Sequence, residues 1–404
     1  MVSGVNVPLS NLRAVVILIV VAFHSVLPYL ASQPADPFSF DTPPYRWIAF
    51  PIIDQQRWFG FDLFCAWQDV SLMSLMFFLA GLFTPASLHR KGSLAYLSER
   101  WWRVGLPFLA CVAVLSPIAY FASYRATATD PASTAFWQHW RALPMWPSGP
   151  AWFLWQVFAL SALAACLHAL SPQSVRWLAA WAGKLDDRPL AFFLGLIALS
   201  GLAYIPLAML FAPWDWTSLG PFSLQLSRPL HYSLYFLAGV AIGSRDCESS
   251  VLRCEGSLVR HWLAWLAVAV ASFAAWCGLT SLTLPDWDLS PFVYRLVAAC
   301  AFPVACAAAA LSLFAMCSRL MRRRHLALDS LSAHAYTIFL THYVPVVWLQ
   351  YALLGSNLNA VAKAATVFVT ALALSWASSA GLAMLAPRRH PDLVGNTAMT
   401  NQPP

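Results

Sequence analysis

The chain has 404 residues, of which 60% are hydrophobic and only 10% charged, and its mean hydropathy is +0.62. Soluble domains carry about 25% charged residues, so a water-soluble fold of this size could not keep so much apolar side chain away from its surface. The net charge of +7 does not point to nucleic acid. Lys and Arg form no single stripe but sit in short clusters between apolar runs, the topology signature of membrane proteins.

Apolar runs near the spanning length of about 20 residues are read at 12–31, 60–83, 104–124, 151–170, 190–212, 228–243, 261–283, 294–316, 332–354 and 362–386. This predicts an all-α polytopic transmembrane bundle of about ten spans, one domain over 1–387 and a short tail over 388–404. Arg13, the stretches 90–103, 176–188, 245–260 and 319–324, and Arg388–Arg389 fall on alternate loops and hold 17 of the 24 Lys and Arg; the other side holds 7. The positive side faces the cytoplasm, so both termini are expected there. The apolar stretch from Ala14 continues past His24 to Leu30 without a small-residue cleavage site, so a cleaved signal peptide is not expected.

The opposite side has two longer loops, near 32–57 and 125–150. Trp47, Trp58, Trp137, Trp140, Trp146, Trp152, Trp214, Trp216 and Trp287 lie at or near that face. They read either as an interfacial aromatic belt or, for some rings, as a platform for a sugar. The nine cysteines form no CxxC pair and no metal spacing, and no metal is expected.

Ionisable side chains at bilayer depth normally face a cavity or a partner. The first span carries His24, eleven residues after Arg13; that is about three helical turns, so the two share a face roughly 16 Å apart. The second span carries Asp62 and Asp69 on one face, with Gln68 beside them. The ninth carries His334 and His342, followed by Tyr343. Counted from the span ends, His24, Asp69 and His342 reach similar depth. An Asp near a His fixes its tautomer and raises its basicity, so the three read together as candidate catalytic groups, and each taken singly reads equally as a structural polar residue bonding a neighbouring helix. Arg100 and Arg103, at i and i+3 on a basic loop, read either as a phosphate clamp or as positive-inside anchoring. There is no GxSxG elbow, no His followed five residues later by Asp, no P-loop and no dinucleotide fingerprint.

Taken in order, these residues resemble the acyltransferase-3 family of membrane acyltransferases. Arg13 and His24 match its Arg, ten residues, His motif. Met76-Phe-Phe-Leu-Ala-Gly81 is similar to its Phe-Phe-x-Ser-Gly segment, with Ala80 in place of Ser. Arg100-x-x-Arg103 followed by Pro107, Gly149-Pro-Ala-Trp152-Phe-Leu, and Ser332-Ala-His-Ala-Tyr336-Thr-Ile-Phe-Leu-Thr-His342-Tyr resemble three further family segments. Within the family, the Arg-Val-Gly-Leu-Pro stretch looks most like the branch that succinylates periplasmic glucans. The resemblance implies about ten helices in a bacterial inner membrane. It implies a cytosolic acyl-CoA donor with no bound cofactor, and an acceptor hydroxyl on an extracytoplasmic glycan or glycolipid. It makes His24 the catalytic histidine, as base or as a covalent relay, and Arg13, Arg100 and Arg103 essential arginines on the acyl-CoA side; Trp152 becomes a substrate-binding candidate. The competing class is a proton-coupled secondary transporter of a small polar solute or glycan precursor. That class predicts inverted repeats and paired broken helices, which the sequence does not display.

Overall fold

A computed structural model describes residues 6–245, 250–284 and 286–385. The expected tail and Arg388–Arg389 lie outside these residues. The helices are α1 (Val7–Val26), α2 (Phe59–Leu82), α3 (Thr84–Lys91), α4 (Ser93–Thr127), α5 (Ser133–Ala142), α6 (Trp152–Leu170), α7 (Pro172–Gly183) and α8 (Pro189–Leu210). An antiparallel hairpin follows, β1 (Trp216–Leu219) with β2 (Phe222–Gln225), in register Trp216 to Gln225. Then come α9 (Pro229–Gly243), α10 (Trp262–Ser281), α11 (Phe292–Leu320), α12 (Leu326–Thr341), α13 (Tyr343–Ala352) and α14 (Ala360–Leu385). The protein is thus nearly all-α and membrane-embedded in composition, as the sequence predicts.

Among the described residues, eight helices are long and apolar enough to cross a membrane. The two other expected spans take less regular forms. Helix α9 has 15 residues, about 22 Å of rise against a hydrocarbon core of about 30 Å. The stretch read as 332–354 is α12 and α13 with a break at His342. Pro345 explains the break: it has no N–H to give to the carbonyl of Thr341, four residues earlier. Helix α4 is locally under-wound into π-helical turns at Trp101–Gly105 and Cys111–Leu115, either side of Pro107.

Two pairs of parallel helices set the frame. Contacts between α1 and α12–α13 run in the same order along both chains, from Ser10–Ser332 to His24–His342. Contacts between α2 and α9 do the same, from Asp69–Arg228 through Ser74–His231 to the backbone of Phe78 and Leu82 against Gly239 and Gly243. Helices α1 and α2 are antiparallel, pinned where the Ala31 and Ser32 N–H groups donate to the Asp62 carboxylate at 2.7 and 3.1 Å.

The long loops pack together. Phe40 stacks on Trp47 at 4.2 Å, and both meet Tyr120, Tyr124, Phe136 and Trp140 in one aromatic cluster that reaches Tyr343. Trp47, Trp140 and Trp287 are buried in the protein, so the belt reading does not apply to them; Trp58, Trp137, Trp146, Trp214 and Trp216 stay exposed. Beneath the first loop, Asp54 and Lys363 form a fully buried ion pair at 2.8 Å.

The α2–α9 seam has no room for side chains. A Cβ on Gly81 would stand 2.0 Å from the Phe236 carbonyl oxygen, one on Gly239 2.1 Å from that of Phe78, and one on Gly243 1.9 Å from that of Leu82. Small residues let helix backbones meet this closely in a membrane, which gives a packing reason for the glycine that ends the Phe-Phe-Leu-Ala-Gly81 segment. Gly81→Ala and Gly239→Ala should each cost about 1–3 kcal/mol, because backbone rather than a flexible side chain must move. Gly278→Ala, where nothing lies within 4 Å, should be neutral or slightly stabilising. Thermal unfolding of the three purified variants checks this; equal melting temperatures would contradict it.

Candidate active site

The His342 ring is fully buried, and its Nε2 lies 3.2 Å from Nδ1 of His24. The protons can be placed by elimination. His342 Nδ1 faces only carbonyl oxygens, those of Phe339 at 2.8 Å and Ile338 at 3.1 Å, so it carries the hydrogen. In neutral imidazole the other nitrogen is then an acceptor, and His342 Nε2 accepts. His24 Nδ1 faces that acceptor and the Val20 carbonyl at 2.9 Å, so it too carries its hydrogen. The remaining nitrogen, His24 Nε2, holds a lone pair and has no protein partner among the described residues. His24 is half-buried, its ring edge-on to Phe23 and Tyr343 at 5.0 and 5.4 Å. Backbone geometry has therefore produced an oriented, unprotonated nitrogen at bilayer depth.

Local sequence explains why the pair is rigid. Pro28, four residues after His24, has no N–H for the His24 carbonyl, and the Gln350 side chain donates to that oxygen instead at 2.7 Å. The same device recurs on α4. Pro107 leaves the Arg103 carbonyl without its helical donor, and the Tyr336 hydroxyl donates to it. Two segments distant in the chain, Arg100-x-x-Arg103 and Ser332 to His342, are thereby joined. A crevice lined by Ser148, Pro150, Ala151, Phe339 and Tyr343 brings in the Gly149-Pro-Ala-Trp152 segment. Gly149 has φ +50°, and a Cβ there would press on the Tyr343 ring at 3.1 Å.

The arginines gather at one end of the bundle. Arg13 lies one turn beyond Ser10, which bonds Ser332; neighbouring Asn11 donates to the carbonyls of Met321 and Arg323 at 2.8 and 3.2 Å. Arg13 is exposed. Arg100 donates to the Tyr96 hydroxyl at 3.0 Å and lies over that ring. Arg103 is 75% exposed and pairs with Glu99 at 3.2 Å. Lys91 also engages Glu99, so two cations share one carboxylate and this end stays positive.

Asp69 is placed elsewhere. Both its oxygens are held by the Arg228 guanidinium, one of them at 2.6 Å, and no hydrogen bond joins it to either histidine among the described residues. The role expected of it, fixing a histidine tautomer, is filled by the carbonyls of Val20, Ile338 and Phe339. Trp152 stands beside the same ion pair, with ring contacts to Trp216 at 5.2 Å and Tyr232 at 6.2 Å. Arg228 did not emerge from the sequence as a site residue. Its signal was a lone Arg heading an apolar run on the side otherwise poor in cations.

A histidine pair with one free basic nitrogen, cationic groups at one end and aromatic rings at the other is an arrangement suited to moving a group between partners. The chain belongs to the acyltransferase-3 family: the family model described as an acyltransferase domain matches residues 7–380. It is therefore a membrane acyltransferase. No curated protein and no solved structure shows significant similarity to it.

His342 should act through His24. Replacing it by Leu removes the acceptor that orients His24 Nδ1–H, a hydrogen bond that gains charge as His24 takes up a proton. Such bonds contribute about 1.5–3 kcal/mol, or some ten- to a hundredfold in kcat. His342→Gln, whose amide oxygen can accept, should recover part of the loss. A His342→Leu enzyme with wild-type kcat and unchanged melting temperature would remove His342 from the mechanism.

Proposed function

We propose that the protein transfers an acyl group, acetyl or succinyl, from cytosolic acyl-CoA to a hydroxyl of an extracytoplasmic glycan or glycolipid, with His24 as general base. The observation that carries the reading is the free Nε2 of His24 on a doubly anchored ring. The acceptor hydroxyl gives its proton to that nitrogen while its oxygen attacks the thioester carbonyl. The tetrahedral intermediate collapses, the C–S bond breaks, and the imidazolium returns the proton to the leaving thiolate. His342 Nε2 holds the Nδ1–H throughout and steadies the imidazolium. Coenzyme A phosphates meet Arg13, Arg100 and Arg103, where guanidinium groups suit phosphate oxygens. The succinyl-transferring branch is favoured by the Arg-Val-Gly-Leu-Pro stretch.

Two measurements test the reading. His24→Gln keeps polarity but cannot accept and return a proton, so transfer should fall by about 10²–10⁴-fold at normal protein levels. Mass spectrometry of cell-envelope glycans gives the readout, and transfer within a few-fold of wild type would overturn the mechanism. A reporter fused after Arg324 should be cytoplasmic and one inserted near Ser133 external, as the distribution of Lys and Arg demands. The reverse orientation would remove the basis for a cytosolic donor.

A further inference from the structure

We propose that Asp69, Arg228, Trp152 and Trp216 form the subsite that holds a neutral sugar unit of the acceptor. The inference rests on the acyl-transfer reading and gives its acceptor side residues and a chemistry.

The pair is asymmetric in a telling way. Arg228 is 3% exposed while the Asp69 side chain is 37% exposed. The guanidinium is sealed in, stacked on Phe302 with its carbon 4.6 Å from the ring centre and with the Tyr232 hydroxyl at 3.3 Å. The carboxylate faces open space. An ionised carboxylate accepts at about four lone-pair positions, and Arg228 occupies one on each oxygen. The others remain for donors from outside. Nε of Arg228 itself lacks a partner, and so does, one turn from Trp152 on the same face of α6, Nε2 of Gln156, which is 6% exposed. Unsatisfied buried polar groups are rare and call for an explanation such as a ligand.

Charge selects the class of ligand. Asp69 and Arg228 cancel, so the site attracts neither an anion nor a cation strongly. It offers acceptor oxygens to hydroxyl groups, and beside them the rings of Trp152 and Trp216, the latter 44% exposed. A hydroxyl-rich ring with apolar faces, a neutral sugar, matches both.

Placement fits as well. Ala31 and Ser32 are pinned to Asp62. His24 lies seven residues before Ala31, through the end of α1, the 3-10 turn at Leu27–Tyr29 and the extended Leu30; Asp69 lies seven residues after Asp62 along α2. Both therefore lie on the same side of the pin, Asp69 about 10 Å from it. Aromatic rings line the way between the two centres: Tyr232 stacks on Phe77 at 4.8 Å, Phe77 meets Phe153 at 4.9 Å, Phe153 meets Phe339 at 5.9 Å, and Phe339 meets His342 at 6.1 Å. A sugar at Asp69 thus lies on the same side of the pin as His24, on the hairpin side of the bundle and away from the arginines.

The test uses the full chain in lipid nanodiscs and a linear β-linked gluco-tetraose as probe. Binding is followed by calorimetry, and transfer from acyl-CoA by steady-state kinetics. Asp69→Asn should weaken tetraose binding at least tenfold and raise the acceptor KM in proportion, with kcat at saturating acceptor and donor KM retained. Because Asp69→Asn leaves Arg228 unpaired and risks misfolding, Trp216→Ala serves as a second variant on an exposed strand; it should weaken binding at least threefold. Tetraose affinity equal to wild type in both variants, or no tetraose binding by the wild-type protein, overturns the subsite. A protein that binds tetraose through Asp69 and Trp216 but consumes no acyl-CoA would instead sink the acyl-transfer reading and keep the sugar site.

Discussion

In hydrocarbon a backbone carbonyl that loses its helical N–H must find another donor, and this protein uses that requirement to lock its site. Pro28 and Pro107 each sit four residues after a site residue, His24 and Arg103. Each freed carbonyl takes a side-chain donor from the broken ninth segment, Gln350 in one case and Tyr336 in the other. Pro345 breaks that segment at His342 itself. His24, the Arg100-x-x-Arg103 motif and His342 are thereby tied to one pair of helices, α12 and α13. The carbonyls of Val20, Ile338 and Phe339, together with the contact between the two rings, set which histidine nitrogens carry hydrogen.

The interior follows a second rule, that charge is admitted only when cancelled. Asp69 with Arg228 and Asp54 with Lys363 are the two ion pairs with a nearly inaccessible cation among the described residues. Removing one partner of such a pair leaves an uncompensated charge at several kcal/mol, so each pair fixes the elements that bear it. The first fastens α9 to α2, above the glycine seam that brings the same helices into backbone contact. The second fastens the first long loop to α14. Unpaired cations stay at the ends of the bundle, Arg13 exposed at one and Arg125 and Arg141 exposed at the other.

Depth along a helix was legible in the sequence, and lateral neighbours were not. Counting residues from span ends puts His24, His342 and Asp69 at similar depth, and the structure does bring His24 and His342 together. Counting carries no information on which helix lies beside which, so Asp69 was paired with a histidine when its partner is Arg228. The family segments supplied part of what was missing, since Arg100-x-x-Arg103 and Ser332 to His342 do meet. They meet through the Arg103 carbonyl, a backbone atom to which residue identity is silent. Span length misled in a similar way. Fifteen residues in α9 and a proline break after α12 are adaptations to neighbours, and a hydropathy window averages over them. Tryptophans counted together at one face divide in the structure, because loop packing buries Trp47 and Trp140 while Trp216 stays open.

The connections that complete the site are also among the longest in the chain. His24 and His342 are 318 residues apart, Gln350 and the His24 carbonyl 326, and Asp54 and Lys363 309. A ribosome delivers the first span long before any of these partners exists. During synthesis His24 therefore waits without His342, and Asp54 waits without Lys363. Both are resolved together when the last helices insert. Assembly order thus makes the histidine pair and the Asp54–Lys363 ion pair terminal events: a chain halted short of its final spans holds neither.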